Sequence, residues 1–210
     1  MSDAKNENQN PILEGLMERR TVFLEGEINS DSITDVGSRL LELQIRSTDP
    51  INLVINSGGG SLYAARQLCD QMKVMMTAPV RGIAFGECGS SATFVMLHCS
   101  SRVASPYSRF LIHSGNLGEI DMPIGRTSSK VAEQLLADIK ATEDVVIQLY
   151  VDHLTPKEWE KKEVSADDKK LFVQSLIDRG DQRFNEWLSA EEAVKVGMIE
   201  SVVSGKLDIF

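Results

Sequence analysis

Ser90, His113 and Asp181 each stand where a short apolar segment gives way to a turn or to the start of a helix. A hydroxyl, an imidazole and a carboxylate, in that chain order, are the working parts of a serine hydrolase. The hydroxyl is a weak nucleophile at neutral pH and needs a base, and the base needs a third group to fix its tautomer. The reaction also needs fixed N–H donors where negative charge develops. The glycine-rich turn Asn56-Ser57-Gly58-Gly59-Gly60-Ser61 is a candidate source of them.

Each residue also has a plainer reading. Ser90 lies in Gly86-Glu87-Cys88-Gly89-Ser90-Ser91-Ala92, between an expected strand and an apolar helix. There it would sit at the positive end of the helix dipole, or simply serve as an N-cap serine. The segment is not a GxSxG elbow, because Ser91 and Ala92 follow Ser90. His113 ends the apolar run Phe110-Leu111-Ile112 before Ser114-Gly115, whereas His98 falls inside the apolar helix and His153 ends a long one. Among the three histidines only His113 is presented at a strand end before a loop, although a lone histidine can also be structural. Asp181 follows Arg179-Gly180 and reads equally as a turn carboxylate. No metal site is expected from Cys88, His98 and Cys99, whose spacing matches no zinc pattern.

The elements that must position these groups alternate between strand and helix. Thr21–Leu24, Ile51–Ile55, Val80–Phe85 and Arg109–Ile112 read as strands. Ile33, Val36, Leu40 and Leu41 mark a helix behind Ser30 or Ser32 as N-cap, and Leu62, Ala65, Leu68 and Met72 mark a second. Ser91–Cys99 is apolar nearly all round, as a helix buried inside a domain would be. The expected class is α/β with parallel pairing.

From about 127 to 154 there is no Gly or Pro, and Val131, Leu135, Ile139, Thr142, Val146 and Leu149 recur at helical spacing. This predicts one helix of about 40 Å, long enough to project from a small sheet and to need a partner for its apolar stripe. Thr155-Pro156-Lys157-Glu158 reads as the capped start of a short helix. Ser189 with Glu192 forms a capping box for a last helix, closed by Gly197 before a terminal strand near Met198–Val203.

Composition excludes several classes. Over 210 residues, 31 acidic against 22 basic side chains give a net charge of −9, with no basic cluster to engage nucleic acid or an anionic membrane. No apolar run of about 18 residues is present, and the polar first ten residues lack a secretory pattern. Cys69, Cys88 and Cys99 are odd in number and form no CxxC pair, which suits reduced, buried thiols. A cytoplasmic protein without cofactor or metal is expected.

The stretch from Arg20 to Val203 resembles the proteolytic subunit of the Clp protease, a barrel-shaped serine peptidase fed by ATP-driven unfoldases. Arg20–Ile28 is similar to the first strand of that family, and Ile55–Ser61 to its INSPGGS loop with Gly58 in place of proline. Gly86–Ala92 is similar to its nucleophile segment, Leu111-Ile112-His113 to its histidine segment, and Asp181 falls before the Leu188-Ser189-Ala190-Glu191-Glu192-Ala193 motif at the acid.

The resemblance implies a crotonase-like fold of repeated ββα units at 20–210; the polar composition of 1–19 reads as a partly disordered leader before it. It implies a handle helix at about 127–154 by which two rings, heptameric in the family, interlock into a tetradecamer. Ser90, His113 and Asp181 become the triad, and the backbone N–H groups of Gly60 and Ser91 the oxyanion hole. An extended polypeptide would lie along Gly59, Ser61, Leu62, Ser114 and Gly115. The expected activity is hydrolysis of unfolded polypeptides through an acyl-enzyme, with an unfoldase as partner. The chain departs from the family in its polar leader, in Ser114-Gly115 for Gln-Pro, in Ser91 for Met, and in a charged insertion near 157–170. A catalytically silent ring subunit and a crotonase-type acyl-coenzyme A enzyme are the alternatives.

Overall fold

The computed structural model describes residues 11–114, 129–182 and 186–207. Seven strands form one sheet: β1 (Thr21–Ile28), β2 (Ile51–Gly60), β3 (Val80–Gly89), β4 (Ser101–Ala104), β5 (Arg109–Leu111), β6 (Leu188–Ser189) and β7 (Ser201–Val202). The order β1-β2-β3-β4-β7 is parallel throughout, and β5 branches from β3 and carries β6 antiparallel on its far side. The helices are α1 (Pro11–Glu18), α2 (Ser30–Arg46), α3 (Leu62–Val74), α4 (Ser91–Leu97), α5 (Ser129–His153), α6 (Ala166–Gly180) and α7 (Ala190–Lys195).

The first three strands outrun the apolar runs that predict them. Each continues past a polar, glycine-containing bend: the β1–β2 register shifts between Glu25 and Glu27, and the β2–β3 register between Ile55 and Ser57. Gly26 (φ 72°) and Gly86 (φ 99°) take left-handed conformations open to glycine at little cost. Asn56 pins the bend, its Oδ1 accepting from the Glu87 N–H at 3.1 Å. Beyond the bend β3 changes neighbours. Arg81–Ala84 pair with β4, whereas Glu87–Gly89 pair with β5.

Leu24, Ile55, Leu68, Val95 and Phe110 are among the side chains fully buried in the main core between sheet and helices. On the other face a smaller cluster of Val54, Ile83 and Val103 borders a groove of about 640 Å³, which contains none of Ser90, His113 and Asp181.

The long helix is present as α5, 25 residues or about 37 Å. Its first buried described side chain is Val146, followed one and two turns later by Tyr150 and Leu154 just past its end. Ala137, Lys140, Ala141, Glu143, Asp144 and Val145 are exposed, and among the described side chains those of α5 held by the core lie in its C-terminal part. The side chains of Val131, Leu135 and Ile139 lie outside the described residues.

Several local expectations need correction. Asn29, not Ser30 or Ser32, caps α2, with Ser32 closing the box from the third helical position. Thr155 caps nothing: Pro156 precedes a single 3-10 turn, Lys157–Trp159, with no side-chain cap. Part of the charged insertion begins α6, capped by Ser165, and that helix delivers Asp181 at its C-terminus. The Ser189–Glu192 capping box and the left-handed Gly197 are as expected. Within the leader, Pro11–Glu18 is helical, and residues 1–10 lie outside the described residues.

Candidate active site

The pairing of Gly89 with Leu111 puts the ends of β3 and β5 side by side. One residue beyond Gly89 is Ser90, and two beyond Leu111 is His113. Both lie at the carboxyl end of parallel strands, where the chain must turn and side chains can face a ligand. The end of α6 closes on the same place. A Cβ on Gly180 would run into the Ile112 carbonyl oxygen and lie 3.2 Å from the His113 Cβ, so only glycine lets α6 bring Asp181 this close.

Ser90 precedes α4 but does not cap it. Its φ of 52° and ψ of −129° are far from the extended conformations of Asn29, Ser61, Ser165 and Ser189, and its side chain makes no cap hydrogen bond. Those angles are near the first central position of a type II′ turn, which glycine favours, and they cost a serine on the order of 1–3 kcal/mol. The strain is held from several sides. The Ser90 N–H donates to Leu111 O at 2.8 Å, and Ser90 O accepts from the Thr93 N–H at 3.0 Å. Gly59 presses so close that a Cβ there would lie 2.6 Å from the Ser90 Cβ. The N-cap reading of Ser90 therefore fails, and the hydroxyl stays out of the helix hydrogen-bond scheme.

Ser91 is a poor candidate nucleophile. It is 2 % exposed, and its hydroxyl donates to Gly60 O at 3.2 Å. Its N–H opens α4 and lies against the glycine turn, 3.1 Å from where a Gly59 Cβ would be. Gly60 has φ 149°, and any Cβ on it would strike the Ile28 carbonyl.

The His113 Nδ1 lies 3.9 Å from Asp181 Oδ1, with side-chain exposures of 17 % and 36 %. That is ion-pair range but beyond a hydrogen bond. Asp181 Oδ1 instead accepts from the Ser114 N–H at 3.0 Å. Burial lowers the His113 pKa below its ordinary value, and the Asp181 carboxylate opposes this as the smaller influence. Burial thus favours the neutral imidazole, the form in which a histidine acts as a base.

Among the expected substrate-strand residues, Gly59 N–H donates to Ser57 Oγ at 3.1 Å and Ser61 N–H to Ile28 O at 2.7 Å. Leu62 starts α3, with Ser61 as its N-cap. The amides of Gly59, Ser61 and Ser114 are thus engaged within the chain, and Gly115 lies outside the described residues.

Trp187 went unnoticed in the sequence. Its ring lies so close to Gly89 that a Cβ there would come within 2.9 Å, and Arg109 stacks on it 4.5 Å from the centroid while pairing with Glu87. It supports β3 at Gly89, one residue before Ser90. The cysteines are free and buried, and burial pushes the Cys99 thiol up to about 12. Among the described residues no group of His, Cys, Asp and Glu is arranged to hold a metal ion, and no helix is long and apolar enough to cross a membrane.

Fold and site together describe an α/β protein with a strained serine at a strand–helix junction beside a histidine and a carboxylate. Residues 4–206 match the family model described as Clp protease, and the chain belongs to that family. It is a peptidase. It is 27 % identical over 208 residues to the ATP-dependent Clp protease proteolytic subunit 1 of Chlamydia pneumoniae, covering 97 % of each chain. It is 26 % identical over 208 residues to proteolytic subunit 2 of Treponema denticola, covering 98 % of this chain and 92 % of that one. The corresponding subunit 2 of Mycolicibacterium paratuberculosis is 26 % identical over 214 residues, covering 97 % and 94 %.

Proposed function

We propose that this chain is a serine endopeptidase in which Ser90 attacks the scissile carbonyl and His113 takes and returns the proton. Asp181 orients His113 and stabilises its cation, and the N–H groups of Gly60 and Ser91 receive the oxyanion. The observation that carries this reading is the backbone of Ser90: strained, uncapped and held against Gly59. Such strain persists only where the surrounding structure enforces it. Burial of His113 lowers its pKa and so favours the neutral form that a base requires. The Asp181–His113 separation of 3.9 Å shortens to a hydrogen bond as substrate binds, since catalytic contacts are often long in the ligand-free site.

The substrate is an unfolded polypeptide lying extended along Gly59–Leu62 and Ser114–Gly115. Main-chain pairing with an extended peptide gives affinity with little sequence demand. The length of α5 and the repeat of Val131, Leu135 and Ile139 in its sequence support association into stacked rings, with 20–210 as the ring-forming peptidase domain. The names of the relatives, ATP-dependent proteolytic subunits, support an ATP-driven partner that supplies the unfolded chain.

The test is digestion of a denatured, fluorescently labelled polypeptide by the purified protein. Short peptides are expected from the wild type and none from Ser90→Ala. Equal cleavage by the two would overturn the assignment.

A further inference from the structure

The carbonyl of Ser90 receives two donors, the Thr93 N–H at 3.0 Å and the Thr93 hydroxyl at 2.6 Å. The same hydroxyl lies 2.7 Å from the phenol oxygen of Tyr150, which reaches it from α5, 57 residues further along the chain. The proton count fixes the direction. Thr93 has one hydroxyl proton and spends it on Ser90 O, so Tyr150 is the donor to Thr93. Both side chains are 0 % exposed, and burial raises the Tyr150 pKa, so the phenol keeps its proton. The ring itself is seated by Phe94 of α4, with centroids 4.9 Å apart.

The chain Tyr150 O–H, Thr93 O–H, Ser90 C=O ends on a peptide plane whose other side is the Ser91 N–H. A peptide is rigid, so fixing the direction of its carbonyl fixes the direction of its N–H. Here that matters twice, because ψ of Ser90 is the strained −129° and the Ser91 N–H is the expected oxyanion donor. A second hydrogen bond to the carbonyl resists relaxation of that angle, and donation from Tyr150 polarises the Thr93 hydroxyl and strengthens its own bond.

We infer that Tyr150 is a positioning residue for the catalytic turn, acting through the Thr93 hydroxyl to hold the Ser90–Ser91 peptide with its N–H aimed at the oxyanion. The inference rests on the serine-peptidase reading. Because the oxyanion forms only on the way to the transition state, loss of this hold lowers kcat and leaves KM nearly unchanged.

Tyr150→Phe removes one oxygen and keeps the ring against Phe94. Together with Thr93→Val, which removes the relay while keeping the shape, and Thr93→Ser, which keeps the hydroxyl, it is compared with wild type for peptide kcat and KM, and for labelling rate with a fluorophosphonate. Thermal unfolding and assembly mass are measured on the same samples. The expected result is a fall in kcat and labelling rate of about three- to tenfold for Tyr150→Phe and more for Thr93→Val, at constant KM, with Thr93→Ser retaining most of the wild-type rate. Wild-type rates in Tyr150→Phe, or a loss expressed in KM or explained by unfolding or dissociation, would overturn the positioning role. A wild type that the probe does not label would instead overturn the serine-peptidase reading.

Discussion

Asp181 reaches His113 through the end of a helix and not through a loop: α6 stops at Gly180, whose missing side chain lets the helix terminus lie on the Ile112 carbonyl, and Asp181 follows at once, 3.9 Å from the His113 ring. The carboxylate is shared between that ring and the Ser114 N–H, so its distance from His113 depends on how α6 and the end of β5 sit together.

The glycine at this junction is therefore sensitive. Gly180→Ala places a methyl group inside van der Waals contact with the Ile112 oxygen, and α6 and His113 must separate. Destabilisation by about 3 kcal/mol is expected, the upper end for overpacking, together with loss of peptidase activity in the protein that remains folded. Chemical denaturation and a per-folded-molecule rate measure the two effects separately; an active, stable Gly180→Ala would show that the junction has slack.

With His113 as the proposed base, the acid limb of the pH–rate profile should report its titration. A base must be neutral, and burial depresses its pKa, so kcat/KM should rise with pH through a midpoint below the ordinary histidine value of about 6.5. Asp181 acts in the opposite direction, favouring the cation. Asp181→Asn should thus move the midpoint to still lower pH while reducing the plateau by about ten-thousandfold through loss of orientation. A midpoint that rises in Asp181→Asn would mean that the carboxylate does not act on His113.

Strain at Ser90 predicts a trade between stability and activity. Ser90→Gly removes the nucleophile and places at φ 52° the residue that tolerates it, so the variant should be inactive and more stable than wild type by about 1 kcal/mol. Ser90→Ala keeps the Cβ and should gain much less. Denaturation midpoints of the three proteins decide this; a destabilised Ser90→Gly would contradict the strain argument.

What the sequence discloses and what it hides have physical causes. The strands are legible where both faces are buried, as in Leu53-Val54-Ile55 and Ile83-Ala84, because only a β-rich apolar run fills such a position. Their continuations, Asn56–Gly60 and Gly86–Gly89, look like loops, since pairing there is maintained by backbone bonds and a glycine bend instead of apolar side chains. Helix α6 is hidden by the charge of its first turn, although Val173, Leu176, Ile177 and Gly180 form its buried face. The proposed nucleophile segment, Gly86–Ala92, stands out by kind and order of residues, but the strain at Ser90 does not, because a serine before a helix usually means a cap. The apolar repeat of α5 points to Leu149 and not to Tyr150; the buried series is Val146, Tyr150 and Leu154, offset by one position at its end.

The apolar repeat Val131, Leu135 and Ile139 in the sequence of α5 predicts an assembly effect: in the proposed ring assembly, Leu135→Glu should halve the mass without unfolding the protomer. Light scattering with circular dichroism reads both quantities. A wild type that is already monomeric would remove the partner from the account.

The most direct measurement is to locate the site of covalent modification by a serine-directed fluorophosphonate, using mass spectrometry of the intact protein and its peptides. One adduct per chain is expected, on Ser90, forming faster as pH rises and absent from both Ser90→Ala and wild type denatured beforehand. An adduct on Ser91 or elsewhere, or none on a folded and assembled protein, would contradict the account.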